Sequence, residues 1–240
     1  MNVVVYDYTG YGISPNKPSE KNTYYDIEAI ISFIVYHLKY PLNRVILCGF
    51  SLGSGPTVEM ALQYKQIPLV ILFAPLASCM YMLENTEKQI SHSHDIFPNV
   101  DKVKRVSQDI ILIHGTSDKT IPFKHSQMLI DQYEKTHDLK MNQACLIRVN
   151  DADHNDLIAY FDNGESEYKE VFLNYFKTLL KKAKDRLENN QSDTSSSVEN
   201  EKLKQIFESI RINKPSSKWK NFQSVAPPEE NTHTYHKLMV

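Results

Sequence analysis

The chain has 240 residues, 41% of them hydrophobic, and a formal net charge of −2. That size and hydrophobic content allow one sizeable core, and a charge near zero without a basic concentration does not predict a nucleic-acid partner. Three widely spaced cysteines favour a reducing compartment such as the cytoplasm over a disulfide framework. No apolar run has the length of a transmembrane helix and no charged segment resembles a signal peptide, so we expect neither.

Strand and helix patterns alternate along most of the chain, which predicts an α/β fold with a mainly parallel sheet and helices on both faces. The apolar runs predict strands over residues 3–7, 44–48, 69–73, 109–115 and 144–149. Apolar residues at helical spacing predict helices over residues 25–38, 57–64, 122–137 (with Pro122 in first position) and 166–189. Residues 76–108 are rich in Met, Tyr and polar residues, and we expect them to be irregular.

The second of these strands runs into Gly49-Phe50-Ser51-Leu52-Gly53, and a predicted helix follows. A strand, a Gly-x-Ser-x-Gly turn and a helix form the nucleophile elbow, in which a sharp turn exposes the serine hydroxyl. Gly49 and Gly53 are expected to let the backbone pass through that turn without a clash. The pattern predicts that Ser51 is a catalytic nucleophile.

A serine nucleophile needs a base and an acid that orients the base. Asp118 follows the strand over 109–115, and His154 follows the strand over 144–149. The order serine, acid, histidine is that of the α/β-hydrolases, so we predict that Asp118 orients His154. His114 is the rival base, although its place at a strand end favours packing, and the rival acids are the aspartates closest to His154 in sequence: Asp151, Asp153 and Asp156.

Several motifs resemble one family. They are Asp7-Tyr8-Thr9-Gly10-Tyr11-Gly12-Ile13-Ser14, Pro18-Ser19-Glu20-Lys21-Asn22, Gly49 to Thr57, Asp95-Ile96-Phe97-Pro98-Asn99, His114-Gly115-Thr116-Ser117-Asp118 and Asp153-His154-Asn155-Asp156. Over about residues 1–180 the chain is similar to the α/β-hydrolase-domain-containing group seventeen, whose members are implied to be depalmitoylating thioesterases. The resemblance implies an α/β-hydrolase fold, places nucleophile, acid and base on Ser51, Asp118 and His154, and implies no cofactor.

The resemblance also implies that residues 3–7 form the fourth strand of the sheet. The first three strands, and a loop that donates one of two oxyanion N–H groups, then have no counterpart, and the Leu52 N–H is the donor that remains. Loss of one such donor costs about 3 kcal/mol in the transition state. The strand over 3–7 is not expected to neighbour the elbow strand. We interpret the chain as an N-terminally incomplete form of a longer enzyme, whose peripheral membrane contact would belong to the absent region.

Apolar side chains in the segment 76–108 predict an acyl-binding groove; the candidates are Met80, Met82 and Phe97, and ordinary core packing is the alternative. The resemblance implies that Tyr8 lies near the elbow and shapes the pocket. The segment His92-Ser93-His94-Asp95 has no second ligand group, so no metal site is predicted. Residues 1–189 form the predicted partial hydrolase domain. Residues 190–240 are predicted to be a polar, disordered tail with a short amphipathic helix that includes Leu203, Ile206, Phe207, Ile210 and Ile212.

These observations predict a cytoplasmic serine hydrolase, peripheral on membranes through the absent region. Its expected substrates are acylated proteins, from whose cysteines it removes palmitoyl groups, or small esters. Two alternatives stay open: another carboxylesterase or serine peptidase of the same fold, and a catalytically impaired fragment or binding protein.

Overall fold

A computed structural model of the chain describes residues 2–84, 95–138, 143–162, 167–189, 201–202 and 204–206. Its four strands form one parallel sheet in the order β1-β2-β3-β4. The strands are β1 (Ile46–Phe50), β2 (Leu69–Phe73), β3 (Asp109–Gly115) and β4 (Ala144–Val149). The helices are α1 (Glu20–Tyr36), α2 (Ser54–Gln63), α3 (Cys79–Glu84), α4 (Asn99–Lys102), α5 (Lys124–Thr136), α6 (Leu157–Asp162) and α7 (Glu167–Asn189).

Helices cover both faces of the sheet, as the alternating pattern predicts. On one face α2 and α5 pack against the strands, and α1 packs against α2. The other face packs against α7 through a second apolar cluster that includes Ile111, Val149 and Leu179. The central strand β3 is buried along its whole length, which is why its sequence reads as a continuous apolar run. Because all four strands are parallel, the carboxyl ends of β1, β3 and β4 lie along the same edge of the sheet.

The bounds of β2, β3 and β4 agree with the predicted strands, whereas other bounds differ for local reasons. Helix α1 begins at Glu20 because the Ser19 hydroxyl caps it, accepting a hydrogen bond from the Asn22 N–H at 3.1 Å. Strand β1 begins at Ile46, after a 3-10 turn over Leu42–Arg44. Helix α5 begins at Lys124, so the prediction that Pro122 is its first residue was wrong.

The predicted strand over residues 3–7 is absent. This segment has no strand conformation, and the side chain of Val3 is 69% exposed. A strand needs a neighbour to satisfy its backbone groups, and within the described residues nothing pairs with the free edge of β1. Instead, Thr9 ties the segment to α1 by donating from its N–H and hydroxyl to the Asp26 carboxylate at 2.8 and 2.7 Å.

The region between β2 and β3 is more regular than predicted, because α3 and α4 lie within residues 76–108. Of the predicted tail, residues 201–202 and 204–206 are described, and they are helical. Lys202 Nζ lies 2.5 Å from Glu28 Oε1 on α1. Ile206 is the described member of the predicted amphipathic helix; the others, Leu203, Phe207, Ile210 and Ile212, lie outside the described residues. No helix in the described ranges has the length and apolar character needed to cross a bilayer.

Candidate active site

Ser51 occupies a strained turn at the carboxyl end of β1. Its φ is +54°, in the left-handed region that side chains other than glycine rarely adopt, and such a conformation costs about 1–3 kcal/mol. A 3-10 turn over Ser51–Gly53 leads directly into α2, and the Ser54 hydroxyl donates a hydrogen bond to the Ser51 carbonyl oxygen at 2.7 Å. The strand, strained turn and helix are the geometry that the Gly-x-Ser-x-Gly pattern predicts.

The two elbow glycines are not equivalent. A Cβ atom on Gly49 would lie 2.6 Å from both the Gly53 carbonyl oxygen and the Thr57 hydroxyl, so the close approach requires glycine there. Gly53 has helical backbone angles, and a Cβ atom on it would meet only the Tyr8 hydroxyl at an ordinary 3.5 Å. The expectation that Gly53 relieves a clash was wrong, because a side chain there would make only an ordinary contact.

A third glycine has a steric role that the sequence analysis did not identify. A Cβ atom on Gly55 would lie 2.1 Å from Cδ1 of Phe97, whose ring is buried against the start of α2. The signal available in the sequence was Gly55-Pro56 directly before the predicted helix over 57–64, a place where glycine is a poor helix former. What it could not reveal is the distant ring that fills the space.

Ser51, His154 and Asp118 come together at the carboxyl edge of the sheet. His154 Nε2 lies 2.9 Å from the Ser51 hydroxyl oxygen, and His154 Nδ1 lies 2.7 Å from Asp118 Oδ2. A carboxylate only accepts hydrogen bonds, so Nδ1 carries the imidazole proton and Nε2 accepts from the serine hydroxyl. The Phe50 ring packs 5.1 Å from the imidazole. This arrangement can remove the proton from the Ser51 hydroxyl.

Asp118 is 6% exposed and is surrounded by donors. Burial raises the pKa of its carboxyl, but hydrogen bonds from His114, His154 and the Ile121 N–H outweigh burial and hold that pKa below its ordinary value. Oδ1 accepts from the N–H groups of Thr120 and Ile121 at 2.9 and 2.8 Å. The carboxylate is therefore both ionised at neutral pH and fixed in orientation.

The loops that follow β3 and β4 are joined to each other, which sets the distance between acid and base. The Ser117 N–H donates to the Ala152 carbonyl oxygen, and the Asp151 N–H donates to the Thr116 hydroxyl, each at 3.0 Å. A Cβ atom on Gly115 would lie 2.2 Å from the Ala152 carbonyl oxygen. Glycine at the end of β3 is thus what lets the two loops approach closely.

The rival residues have other partners. Asp153 Oδ1 accepts from the backbone N–H groups of Lys119 and His154, and Asp156 Oδ1 accepts from the Asp153 N–H. Asp151 is exposed. His114 is buried within the sheet end and contacts Asp118 rather than Ser51.

The predicted groove residues lie in different surroundings. Tyr8 lies beside the elbow, because its hydroxyl would be 3.5 Å from a Cβ atom on Gly53. Phe97 is 4% exposed and packs against Leu76 and Ile121, which places it in the core. Met82 is 37% exposed, Met80 is half-buried, and a role in acyl binding stays a prediction for all four.

The backbone N–H of Leu52 is the predicted oxyanion donor. This N–H belongs to the first turn after β1, where a helix provides no acceptor of its own, and the Leu52 side chain is 38% exposed. Among the described residues, no group of three His, Cys, Asp or Glu side chains is placed to hold a metal ion. Residues 92–94 of the histidine-rich segment lie outside the described residues, and Asp95 Oδ1 accepts from the Met80 N–H.

The sequence and the fold both have known relatives. The α/β hydrolase fold family matches residues 1–95. Alpha/beta hydrolase domain-containing protein 17B of Xenopus laevis is 36% identical over 161 residues, which are 66% of this chain and 52% of that protein. Alpha/beta hydrolase domain-containing protein 17C of Xenopus tropicalis is 36% identical over 160 residues, 66% of this chain and 48% of that protein. The chain thus spans about half the length of these curated relatives.

A solved structure supports the fold independently. Dipeptidyl peptidase 4 of Porphyromonas gingivalis superposes with a TM-score of 0.51 at 14% sequence identity, over 68% of this chain and 23% of that one. The chain has the α/β-hydrolase fold. Ser51, His154 and Asp118, the predicted nucleophile, base and acid, follow β1, β4 and β3.

Proposed function

We propose that this chain is a serine hydrolase that cleaves acyl esters and thioesters, and that its substrates are proteins carrying a palmitoyl group on cysteine. The observation that carries the proposal is the hydrogen-bonded path from the Ser51 hydroxyl through His154 to the Asp118 carboxylate. The strain at Ser51 supports it, because strained backbone outside glycine is concentrated at functional sites.

The first chemical step is acylation. His154 Nε2 takes the proton of the Ser51 hydroxyl as the oxygen attacks the substrate carbonyl carbon. The imidazolium that forms is stabilised by the Asp118 carboxylate at 2.7 Å from Nδ1. The Leu52 N–H donates to the developing oxyanion. Collapse of the tetrahedral species breaks the carbonyl bond to the leaving group, which receives the proton from His154, and leaves an acyl ester on Ser51.

The second step is deacylation. His154 again acts as a base and takes a proton from water, which attacks the acyl-enzyme carbonyl. Breaking the ester bond returns the proton to Ser51 and releases the fatty acid. Both steps use the imidazole of His154 as the base.

The chemistry of the leaving group makes a thioester easier to cleave than an amide. A cysteine thiol ordinarily has a pKa of about 8.5, so the thiolate departs with little help from a proton donor, whereas an amine must be protonated as it leaves. Similarity to the 17B and 17C proteins, whose names state a hydrolase domain, supports hydrolysis in general. The palmitoyl specificity rests on the family resemblance of the motifs around Ser51, Asp118 and His154.

The experiment compares three substrates with the purified full chain: a palmitoyl-cysteine peptide, a short-chain aryl ester and a peptide anilide. We expect hydrolysis of the thioester and the ester, with loss of both in Ser51→Ala. Ser107→Ala is the matched control, because Ser107 is exposed just before the amino end of β3, away from the site. Ester hydrolysis without thioester hydrolysis would refute the depalmitoylase proposal. A folded chain that cleaves none of the three would refute the hydrolase proposal.

A further inference from the structure

A second histidine contacts the acid of the site. His114, at the end of β3, is fully buried, and its Nε2 lies 3.2 Å from Asp118 Oδ2, the oxygen that also faces His154. The same Nε2 lies 2.8 Å from the Ile121 carbonyl oxygen. On the other side of the ring, Nδ1 lies 2.7 Å from the Ser126 hydroxyl of α5. Both ring nitrogens therefore have partners.

These partners determine where the imidazole proton lies. The Ile121 carbonyl oxygen and the Asp118 carboxylate only accept hydrogen bonds, so Nε2 must carry a proton. Nδ1 of the neutral ring then accepts from the Ser126 hydroxyl, which can donate. His114 Nε2–H is shared between two acceptors, and one of them is the carboxylate oxygen that orients the base.

We propose that His114 is a positioning residue for the acid: its shared Nε2–H, backed by Ser126, holds Asp118 Oδ2 in line with His154. The proposal rests on the proposed function, because it assigns a role within the same acyl-transfer site. The carboxylate is then fixed at both oxygens, Oδ1 by two backbone N–H groups and Oδ2 by two imidazoles. Misplacing a catalytic group by about 1 Å can cost 100-fold in rate.

Several ionisable groups surround this pair, and each belongs to an element packed against it. His154 and Asp153 lie in the loop after β4, and Arg148 is the register partner of His114 on β4. Helix α5 contributes Lys124 and His125. The guanidinium of Arg148 lies over the Phe123 ring, which packs edge-on against His114 at 5.7 Å. Asp118 is the group among these that directly accepts from the His114 ring.

His125 differs from His114 in this respect. Its Nδ1 accepts from the Ala77 N–H at 3.0 Å, and burial lowers the pKa of the ring to about 4. It makes no hydrogen bond to Asp118 among the described contacts. His125 therefore does not replace His114 as a donor to Asp118 when His114 is substituted.

The test compares His114→Phe with His114→Gln, because glutamine retains an N–H donor near the position of Nε2 while phenylalanine retains only the ring. His37→Gln is the matched control, an exposed histidine at the end of α1. With the ester substrate and rates normalised to active sites, we expect His114→Phe to lower kcat by about 10-fold or more with little change in KM. We expect His114→Gln to recover most of that loss.

The pH profile separates positioning from a purely structural role. Without the His114 donor, the charge of Asp118 is less dispersed, and the acid limb of kcat/KM should move to higher pH. A loss of folded protein scales the rate without moving that limb. An unmoved limb, with equal rates in the Phe and Gln variants, would overturn the proposal.

Imidazole nitrogen NMR provides a readout independent of activity, and it also covers the case in which His114→Phe does not fold. In the wild-type chain we expect the Nε2–H tautomer at His114. The Nδ1–H tautomer would overturn the proposal, since Nε2 could not then donate to Asp118. A wild-type chain that hydrolyses no substrate refutes the proposed function, while the tautomer still decides whether His114 donates to Asp118.

Discussion

The sharpest stability prediction concerns the two elbow glycines, which look alike in sequence and differ in the structure. Alanine at position 49 would place a methyl group 2.6 Å from the Gly53 carbonyl oxygen and 2.6 Å from the Thr57 hydroxyl. Ordinary contact begins at 3.4 Å, so the backbone of the elbow must open by about 0.8 Å. Overpacking of a buried site costs about 1–3 kcal/mol, and the contact with backbone places Gly49→Ala at the upper end.

Gly53→Ala is the matched variant and should have the opposite sign. Its backbone is helical and its methyl group would meet only the Tyr8 hydroxyl at 3.5 Å. Replacing glycine by alanine in such a conformation stabilises by about 0.4–1 kcal/mol. Urea denaturation followed by circular dichroism measures both variants. For Gly49→Ala, a loss of about 3 kcal/mol in unfolding free energy would lower Tm by about 6–12 °C in a chain of this size. Equal stability of Gly49→Ala and Gly53→Ala would refute the steric reasoning.

Three further predictions test other parts of the structure. Hydrogen bonds hold the pKa of Asp118 below its ordinary value, so the carboxylate stabilises the fold above about pH 4, and this stabilisation is lost as pH falls through the lowered pKa. The difference in unfolding free energy between wild type and Asp118→Asn should therefore shrink on acidification. Urea titrations at several pH values measure this difference. Gly55→Ala should destabilise by about 1–3 kcal/mol, and Phe97→Leu should relieve part of that loss in a double-mutant cycle, whereas additive effects would contradict the contact. Lys202→Gln should cost about 1 kcal/mol, since Lys202 is half exposed and the buried Glu28 keeps the Tyr64 hydroxyl as a donor, and it should speed proteolysis of the segment docked on Glu28.

Most of the sheet could be predicted from the sequence because its inner strands, β2 and β3, are buried on both faces and the outer strands are still largely apolar. Residues 69–73, 109–115 and 144–149 are apolar runs with clear ends, and their predicted bounds agree with the structure. Residues 3–5 are three valines, yet the segment 3–7 forms no strand. Strand formation depends on a neighbour as well as on propensity, and a sequence pattern does not show whether a neighbour is present.

The site was predictable where a motif places one residue at a strand end. Ser51, Asp118 and His154 each follow a strand of one parallel sheet, so their proximity follows from topology. The contacts that hold them do not. Nothing adjacent in sequence indicates that Phe97 fills the space beside Gly55, or that His114 donates to Asp118. The error at Gly53 arose because the motif was interpreted as two equal steric needs, whereas only Gly49 faces backbone.

Cys48 is exposed although it lies within the apolar run of β1. Its side chain lies on the same face of β1 as Ile46 and Phe50, which are only partly buried. Helix α7 packs on this side of the sheet against β2 and β4. Residues of an edge strand are covered only as far as the helices reach, which an apolar run does not reveal.

The most direct test of the central claim is covalent labelling of the full chain by a fluorophosphonate, with the modified residue located by peptide mass spectrometry. The oriented His154 beside Ser51 predicts a single adduct on the peptide that contains Ser51, retained in Ser107→Ala and lost in Ser51→Ala. It also predicts that His154→Gln slows labelling strongly, because the base is gone. A folded chain that stays unlabelled, or that is labelled equally well after Ser51→Ala, would contradict the assignment of Ser51 as the nucleophile.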